Sequence, residues 1–233
     1  MSAFATPSFG DVATRALDIG FAVFALVLAS PIFLTVVPLL RFTGEGAVFY
    51  RQIRIGRGGK PFGLLKFATM VKNAASIGSG ELTLPNDTRV LPVGRFLRKT
   101  KLNELPQLIN ILTGDLSLIG PRPQTPHYFD AFLPEQRACV ASVRPGLSGA
   151  GSVIFRDEET IFTKVPDPVA FDHDVIMPYK GEIECWFVAH RSTALYFELI
   201  LATVGVVLLP RAGFHRRLLA RVPQPPATLA GLL

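Results

Sequence analysis

The sequence predicts an α+β protein anchored monotopically in a membrane, with an N-terminal re-entrant helix, a small β-hairpin and interfacial helices. Three observations lead there. The run Ile19–Leu40 is 22 residues without a charge, about 33 Å if helical and long enough to span a bilayer. Ser30-Pro31 falls midway along it and Pro38 near its end, and proline removes an N–H and bends a helix. Val48–Ile55 and Phe62–Phe67 then flank Gly56-Arg57-Gly58-Gly59-Lys60, the pattern of a hairpin.

Hydropathy alone makes the first run a straight transmembrane helix. Its flanks argue for one that enters and returns on the same face. Arg15 precedes it, and Arg41, Arg51, Arg54 and Arg57 follow, so both ends prefer the cytoplasm. The length of the run and its prolines exclude a cleaved signal peptide.

Composition agrees. The 233 residues suit one domain with a sizeable core. A mean hydropathy of +0.36 with 18% charged residues is too apolar for an ordinary soluble protein. The net charge of +6 and pI near 9.6 suit an anionic leaflet and anionic substrates. Nucleic acid is not expected, because no matching fold motif or patterned basic helix is present. Cys139 and Cys185 have no metal spacing and form no disulfide framework, and the four histidines are scattered.

The remaining elements follow in order. The glycine cluster at 56–60 lacks a Gly-Lys-Ser/Thr ending, so it reads as a turn rather than a phosphate loop. Met70–Ala75 begins a helix, and Ile77–Leu91, rich in Gly, Ser and Asn, reads as a mobile loop over a site. Pro126–Val143 reads as one helix with Tyr128, Phe129, Phe132 and Leu133 on its apolar face. Gly146-Leu147-Ser148-Gly149-Ala150 departs from a nucleophile elbow at its fifth position and has no His partner, so it reads as a turn. Asp172–Glu184 is a surface helix with no role to assign. Ala194–Leu209, stopped by Pro210, is an interfacial or packed helix, with Trp186 and Tyr196 as anchors.

The chemistry concentrates in Lys101–Pro123, KLNELPQLINILTGDLSLIGPRP. Glu104-Leu105-Pro106 reads as the first turn of a helix, where proline is tolerated. That helix ends near Gly114, a natural left-handed cap. Asn103 then sits at a helix N-terminus, a ready phosphate site. Arg95, Arg98, Lys99 and Lys101 lie before it, and Arg122 follows, held between Pro121 and Pro123. An acid beside a helix end and a guanidinium is what phosphoryl transfer needs. The residue type by itself favours a plainer role for Asn103, as a helix N-cap.

This stretch resembles the hallmark of the bacterial sugar transferases, the monotopic polyprenyl-phosphate hexose-1-phosphate transferases. Thr14-Arg15-Ala16-Leu17-Asp18, Gly46–Gly56, Lys66-Phe67-Ala68-Thr69-Met70, Asp87-Thr88-Arg89, Gly94–Arg98 and Pro145–Gly149 are similar to further blocks of that family, in the same order. The resemblance implies a re-entrant helix (14–41) and a cytoplasmic catalytic domain with interfacial helices (42–210); from the residues themselves the start (1–13) reads as loosely ordered, and 211–233, with four arginines and three prolines, as a basic flexible tail. It implies transfer of a sugar 1-phosphate from a UDP-sugar to polyprenyl (undecaprenyl) phosphate at the cytoplasmic face of the bacterial inner membrane. UMP is released, and the product initiates exopolysaccharide, capsule or O-antigen synthesis. Mg²⁺ is the implied cofactor, with Glu104 as its ligand. Inner-membrane lipids, downstream glycosyltransferases and a second copy in a homodimer are the implied partners.

In that family an Asp-Glu pair does the chemistry and the Asp forms a covalent phosphosugar intermediate. The pair falls here on Asn103 and Glu104. Arg98 and Arg122 fall on phosphate-binding positions, and Arg51, Gln52, Lys66 and Arg95 are expected to bind substrate. Two departures stand out. An amide is a far poorer nucleophile than a carboxylate, and Ala68 replaces a frequent Arg. Glu104 or Asp157 are the substitute acids to expect, or a direct attack by polyprenyl phosphate with no covalent step. An Asn-Glu pair with a segment like Ser152–Glu159 resembles a branch of the family, which favours an active enzyme. The alternative is a catalytically inactive relative that scaffolds glycosyltransferases.

Overall fold

The computed structural model describes residues 9–43, 45–77, 87–209 and 212–233. Helix α1 (Phe9–Thr43) opens the chain. Strands β1 (Phe49–Ile55) and β2 (Pro61–Phe67) form the antiparallel hairpin, with Gln52 opposite Leu64 and Tyr50 opposite Lys66. Helix α2 (Pro92–Lys99), a 3-10 turn (Leu102–Glu104), α3 (Gln107–Thr113) and β3 (Ser117–Ile119) carry the central motif. Then come α4 (Pro126–Asp130), α5 (Pro134–Ala141) and β4 (Gly146–Ser148), which pairs in parallel with β3. The C-terminal part holds α6 (Ala150–Ile154), α7 (Glu158–Phe162), α8 (Pro168–Phe171), α9 (Met177–Ala189), α10 (Thr193–Leu208), α11 (Phe214–Leu219) and α12 (Ala227–Ala230). The architecture is α+β, and among the described residues one helix is long and apolar enough to cross a membrane.

The interruption expected at Ser30-Pro31 is absent: the helix passes through both Pro31 and Pro38. Pro31 cannot donate to the carbonyl of Val27, but the Ser30 hydroxyl donates to that oxygen at 2.8 Å. The serine replaces the hydrogen bond that the proline removes. At 35 residues, α1 is about 52 Å long.

Both ends of α1 are tied to the same domain. Arg15 donates to the carbonyls of Ile111 (2.6 Å) and Leu112 (3.0 Å) in the last turn of α3. Buried Asp18 accepts from Ser117 Oγ, Leu118 N and Tyr196 Oη at 3.0, 2.9 and 2.8 Å. At the far end Val36 and Leu40 are buried with Phe67 and Leu97. Between these ends Phe24, Val27, Leu28 and Leu34 stay exposed, an apolar face larger than a soluble protein tolerates.

Asn110 fixes the hairpin on α3. Its side chain accepts from Leu65 N and donates to Gly63 O, both at 2.9 Å, imitating a neighbouring strand along β2. Several expectations are corrected. The helix predicted over Pro126–Val143 is two helices, because Pro134 starts a new one. Met70 pairs with Val90 in a β-bridge, with only a 3-10 turn (Ala74–Ser76) after it. Gly146–Ser148 is a strand rather than a turn. Tyr196 is buried against Asp18 and is no interfacial anchor, while Trp186 stacks on His190 and is partly buried in the core. The tail folds back: Leu218, Val222 and Leu229 join the main core, and Tyr179 Oη donates to Pro223 O at 2.8 Å. The start is helical from Phe9; residues 1–8 and residues 78–86 of the expected loop lie outside the described residues.

Candidate active site

Lys101 has φ of 59°, the only non-glycine residue in the left-handed region among those described. Such residues are uncommon and cluster at functional sites. This bend opens the 3-10 turn that carries Asn103 and Glu104. Helix α3 begins only at Gln107, so neither residue stands at its N-terminus as expected. Nor does Asn103 cap a helix: it is 6% exposed, and its Oδ1 has no hydrogen-bond partner.

Glu104 faces a cavity of about 1080 Å³. Arg122 Nη2 lies 3.4 Å from its Oε1. Lys66 reaches the same space from β2 and donates to Gln52 Oε1 at 3.2 Å; Arg54 Nη2 donates to that oxygen at 2.8 Å. Arg54 also donates to Pro123 O at 3.0 Å, tying the hairpin to the turn that holds Arg122. Strand geometry explains the cluster. Gln52 and Arg54 are two apart on β1, and Lys66 lies opposite Tyr50, so all three share one face. Arg51 is on the other face, folded over Gly63, where a Cβ would lie 1.7 Å from its Nε. It borders the cavity from outside the cluster.

The charges are coupled. Burial raises the carboxyl of Glu104, but the cations Arg122, Lys66 and Lys101 outweigh it and hold its pKa at about 2. Burial and then Arg54 push Lys66 down to about 7, against the pull of Glu104. Glu104 holds Arg122 above its ordinary value.

A second part of the lining comes from the C-terminal half. Glu184 on α9 is 2% exposed and accepts from the backbone N–H of Arg122 at 3.2 Å. Burial raises its carboxyl to about 7. The predicted surface helix therefore carries a buried acid into the site. Glu158 lines the cavity and pairs with Lys180, whereas Asp157 is 63% exposed, pairs with Arg156 at 2.6 Å and does not line it. Arg98 lines the cavity with its Nη1 3.8 Å from Met70 Sδ; Arg95 is exposed and lies off it.

The fold thus brings together Glu104, Asn103, Arg98, Arg122, Gln52 and Lys66, and leaves out Arg95 and Asp157. Sequence reasoning missed Arg54, Lys101, Glu158 and Glu184 as site residues. Alternation along β1 was enough to find Arg54, two residues from Gln52. Nothing local marks Glu184.

Two other motif blocks prove structural. Arg89 is buried, pairs with Asp87 at 2.6 Å and donates to the carbonyls of Ala74 and Ile77. Arg15 and Asp18 lock α1 to α3, β3 and α10.

Residues 9–210 match the family described as bacterial sugar transferase. The chain is 34% identical over 195 residues to a Bacillus subtilis protein named "Uncharacterized sugar transferase EpsL", covering 84% of this chain and 87% of that one. It is 36% identical over 219 residues to the exopolysaccharide production protein ExoY of Sinorhizobium fredii, covering 88% and 89%. It is 35% identical over 178 residues to the UDP-glucose:undecaprenyl-phosphate glucose-1-phosphate transferase of Escherichia coli, covering 74% of this chain and 37% of that longer one. The chain belongs to the bacterial sugar transferase family and is an enzyme, a phosphoglycosyl transferase.

Proposed function

We propose that the enzyme transfers a sugar 1-phosphate from a UDP-sugar to polyprenyl phosphate at the cytoplasmic face of the bacterial inner membrane, releasing UMP and initiating an exopolysaccharide, capsule or O-antigen. One observation carries the reading: an ionised Glu104 sits among Arg122, Lys66 and Lys101 in a single cavity. Those cations suit a diphosphate and the charge that builds during phosphoryl transfer. Ala25 of α1 and Ile200, Val204 and Val207 of α10 give the same cavity an apolar side, suited to a lipid substrate. The relatives named for undecaprenyl phosphate agree.

Both ends of α1 pack on one domain, and although the helix is not broken at Ser30-Pro31 this supports a helix that dips into the bilayer from one face rather than a span. Its exposed middle enters the bilayer, and the basic flanks keep both ends in the cytoplasm.

Asn103 cannot attack phosphorus as a carboxylate does, and Asp157 faces solvent. Glu104 is the remaining acid of the pair. A carboxyl held at about 2 is a poor proton acceptor but a permanent anion. Its oxygen forms a bond to the β-phosphorus, and the bond to the bridging oxygen breaks, so UMP leaves with the electron pair. An oxygen of polyprenyl phosphate then attacks that phosphorus and the carboxylate is released. Arg122 and Lys66 neutralise the phosphoryl oxygens. The residues fit Mg²⁺: Glu104 is ionised, and the unpartnered Asn103 Oδ1 beside it is a hard oxygen donor. When bound there with the substrate's phosphates, the ion supplies further charge neutralisation.

The test is UMP release by purified protein in nanodiscs with undecaprenyl phosphate, Mg²⁺ and a panel of UDP-sugars. Turnover by the wild type and its loss in Glu104→Gln support the enzyme. Silence on every sugar, with activity in Asn103→Asp, supports the scaffold reading instead, which the neutral Asn103 favours.

A further inference from the structure

Three buried polar atoms on the far wall take no part in those steps. Ser152 Oγ, Arg156 Nε and Glu184 Oε2 each lack a hydrogen-bond partner within the chain. All three residues line the cavity. Buried polar atoms are normally paired, and an unpaired one is costly. Three such atoms on residues that line one cavity therefore point to a ligand.

Their origins converge. Ser152 lies on α6, Arg156 follows that helix, and Glu184 comes from α9. Glu184 Oε1 is already occupied by the N–H of Arg122, which leaves Oε2 for something else. Gly151 lets the acid approach α6 so closely: a Cβ there would lie 2.5 Å from Glu184 Oε1. Arg156 is held on its other side by Asp157 at 2.6 Å, so its Nε is the part left over.

The chemistry of the set selects the ligand. Arg156 Nε donates, Glu184 Oε2 accepts when ionised and can donate when protonated, and Ser152 Oγ does both. A phosphate would be repelled by Glu184 whenever that acid is ionised, and its oxygens could not donate to Oε2. A divalent cation would meet the Arg156 guanidinium. A lipid chain would leave all three atoms unpaired. A neutral polyol satisfies them, since each hydroxyl both donates and accepts.

We propose that Ser152, Arg156 and Glu184 form the hexose subsite. They hold the ring of the donor whose phosphates lie on Arg122 and Lys66, and they determine which sugar is accepted. This rests on the transferase reading above.

Calorimetry on the full chain in nanodiscs, with UDP and a panel of UDP-hexoses, tests it beside UMP release. At least one UDP-hexose should bind the wild type about ten-fold tighter than UDP, as hydrogen bonds to buried partners imply. Ser152→Ala and Glu184→Gln should bring that ratio toward one and leave UDP affinity within about two-fold. A donor lacking the hydroxyl that one residue holds should lose affinity for the wild type and lose none for that variant. Ser152→Ala removes one oxygen, so it guards against misfolding of the Glu184 variant, and thermal unfolding checks both. An unchanged ratio, or equal losses for UDP and UDP-hexose, overturns the subsite even if UMP is released. If no UDP ligand binds and no UMP forms, the transferase reading falls and the subsite with it.

Discussion

Glu104 and Glu184 line one cavity, and their carboxyls are shifted in opposite directions from the ordinary value. In both, burial is the largest influence and raises the carboxyl. Around Glu104 three cations outweigh it and leave the group at about 2. Glu184 gets one backbone N–H and weaker help from Arg122 and Lys180, and rises to about 7. Depth of burial therefore does not decide what a carboxylate does here; the number of cations facing it does. The wall built from the hairpin and the central loop is a charged network suited to phosphates. The wall built from α6, α7 and α9 is closer to neutral.

The sharpest test of that contrast is to neutralise each acid in turn. Glu104→Gln should lower kcat for UMP release by about 10³-fold, the scale for removing a group that acts on the reacting phosphorus. Glu184→Gln should cost no more than about ten-fold in kcat, with its main effect on donor KM. Similar losses in kcat for the two would break the division of labour. Arg122→Lys comes next. It keeps the charge but loses the planar fork, at a cost of about 10- to 100-fold in kcat/KM.

A pH titration separates the walls again. Lys66 loses its proton near pH 7 in the free enzyme, so a cation leaves the phosphate wall as pH rises. Donor KM should rise about ten-fold between pH 7 and 9, the scale of one charge-assisted hydrogen bond. Lys66→Arg should flatten that rise, because a guanidinium stays charged.

Stability should show the opposite signs of the two acids. The folded value of Glu184 lies above its unfolded 4.5, so its contribution is complete below pH 4.5 and lost as pH rises through 7. The folded value of Glu104 lies below 4.5, so its contribution is present above pH 4.5 and lost as pH falls toward 2. Glu184→Gln should therefore raise Tm at pH 8 by about 2–4 °C, roughly 1 kcal/mol for a chain of this size, and by less at pH 5. A pH-independent change in Tm would mean that Glu184 does not titrate in this window.

The two walls also differ in how far the sequence reveals them. The hairpin was legible because its strands flank a glycine turn, and the Gly58 and Gly59 that make that turn have positive φ. The cluster of Glu104, Arg122 and Lys66 was legible because chain order already brings Glu104 and Arg122 within 18 residues. The far wall depends on long-range packing. Glu184 meets Arg122 across 62 residues, from a helix whose buried residues fall on all sides, so no period marks the side that faces the site. The tail misleads for a related reason. Its arginines and prolines suggest a solvated segment, but Leu218, Val222 and Leu229 recur too widely to show as a pattern, and all three are buried. Asn103 misleads differently. Residue type favours a cap, yet the bend at Lys101 moves the helix start to Gln107 and leaves Asn103 Oδ1 unpaired.

The smallest expected effect is at Asp157, the acid that chain order offers as a substitute nucleophile. It stands next to Glu158, which lines the cavity, and one residue along a chain is enough to turn a side chain away. Its carboxylate is mostly exposed and pairs with Arg156, and exposed pairs contribute little. Asp157→Asn should leave UMP release within a factor of about two. Its effect on donor selectivity should be small as well, because the exposed pair that Asp157 makes with Arg156 contributes little to holding that guanidinium. A loss approaching that of Glu104→Gln would mean that the loop before α7 turns inward when substrate binds. The acid missing at position 103 would then be supplied by the far wall, and the comparison between the two walls would have to be redrawn around Asp157.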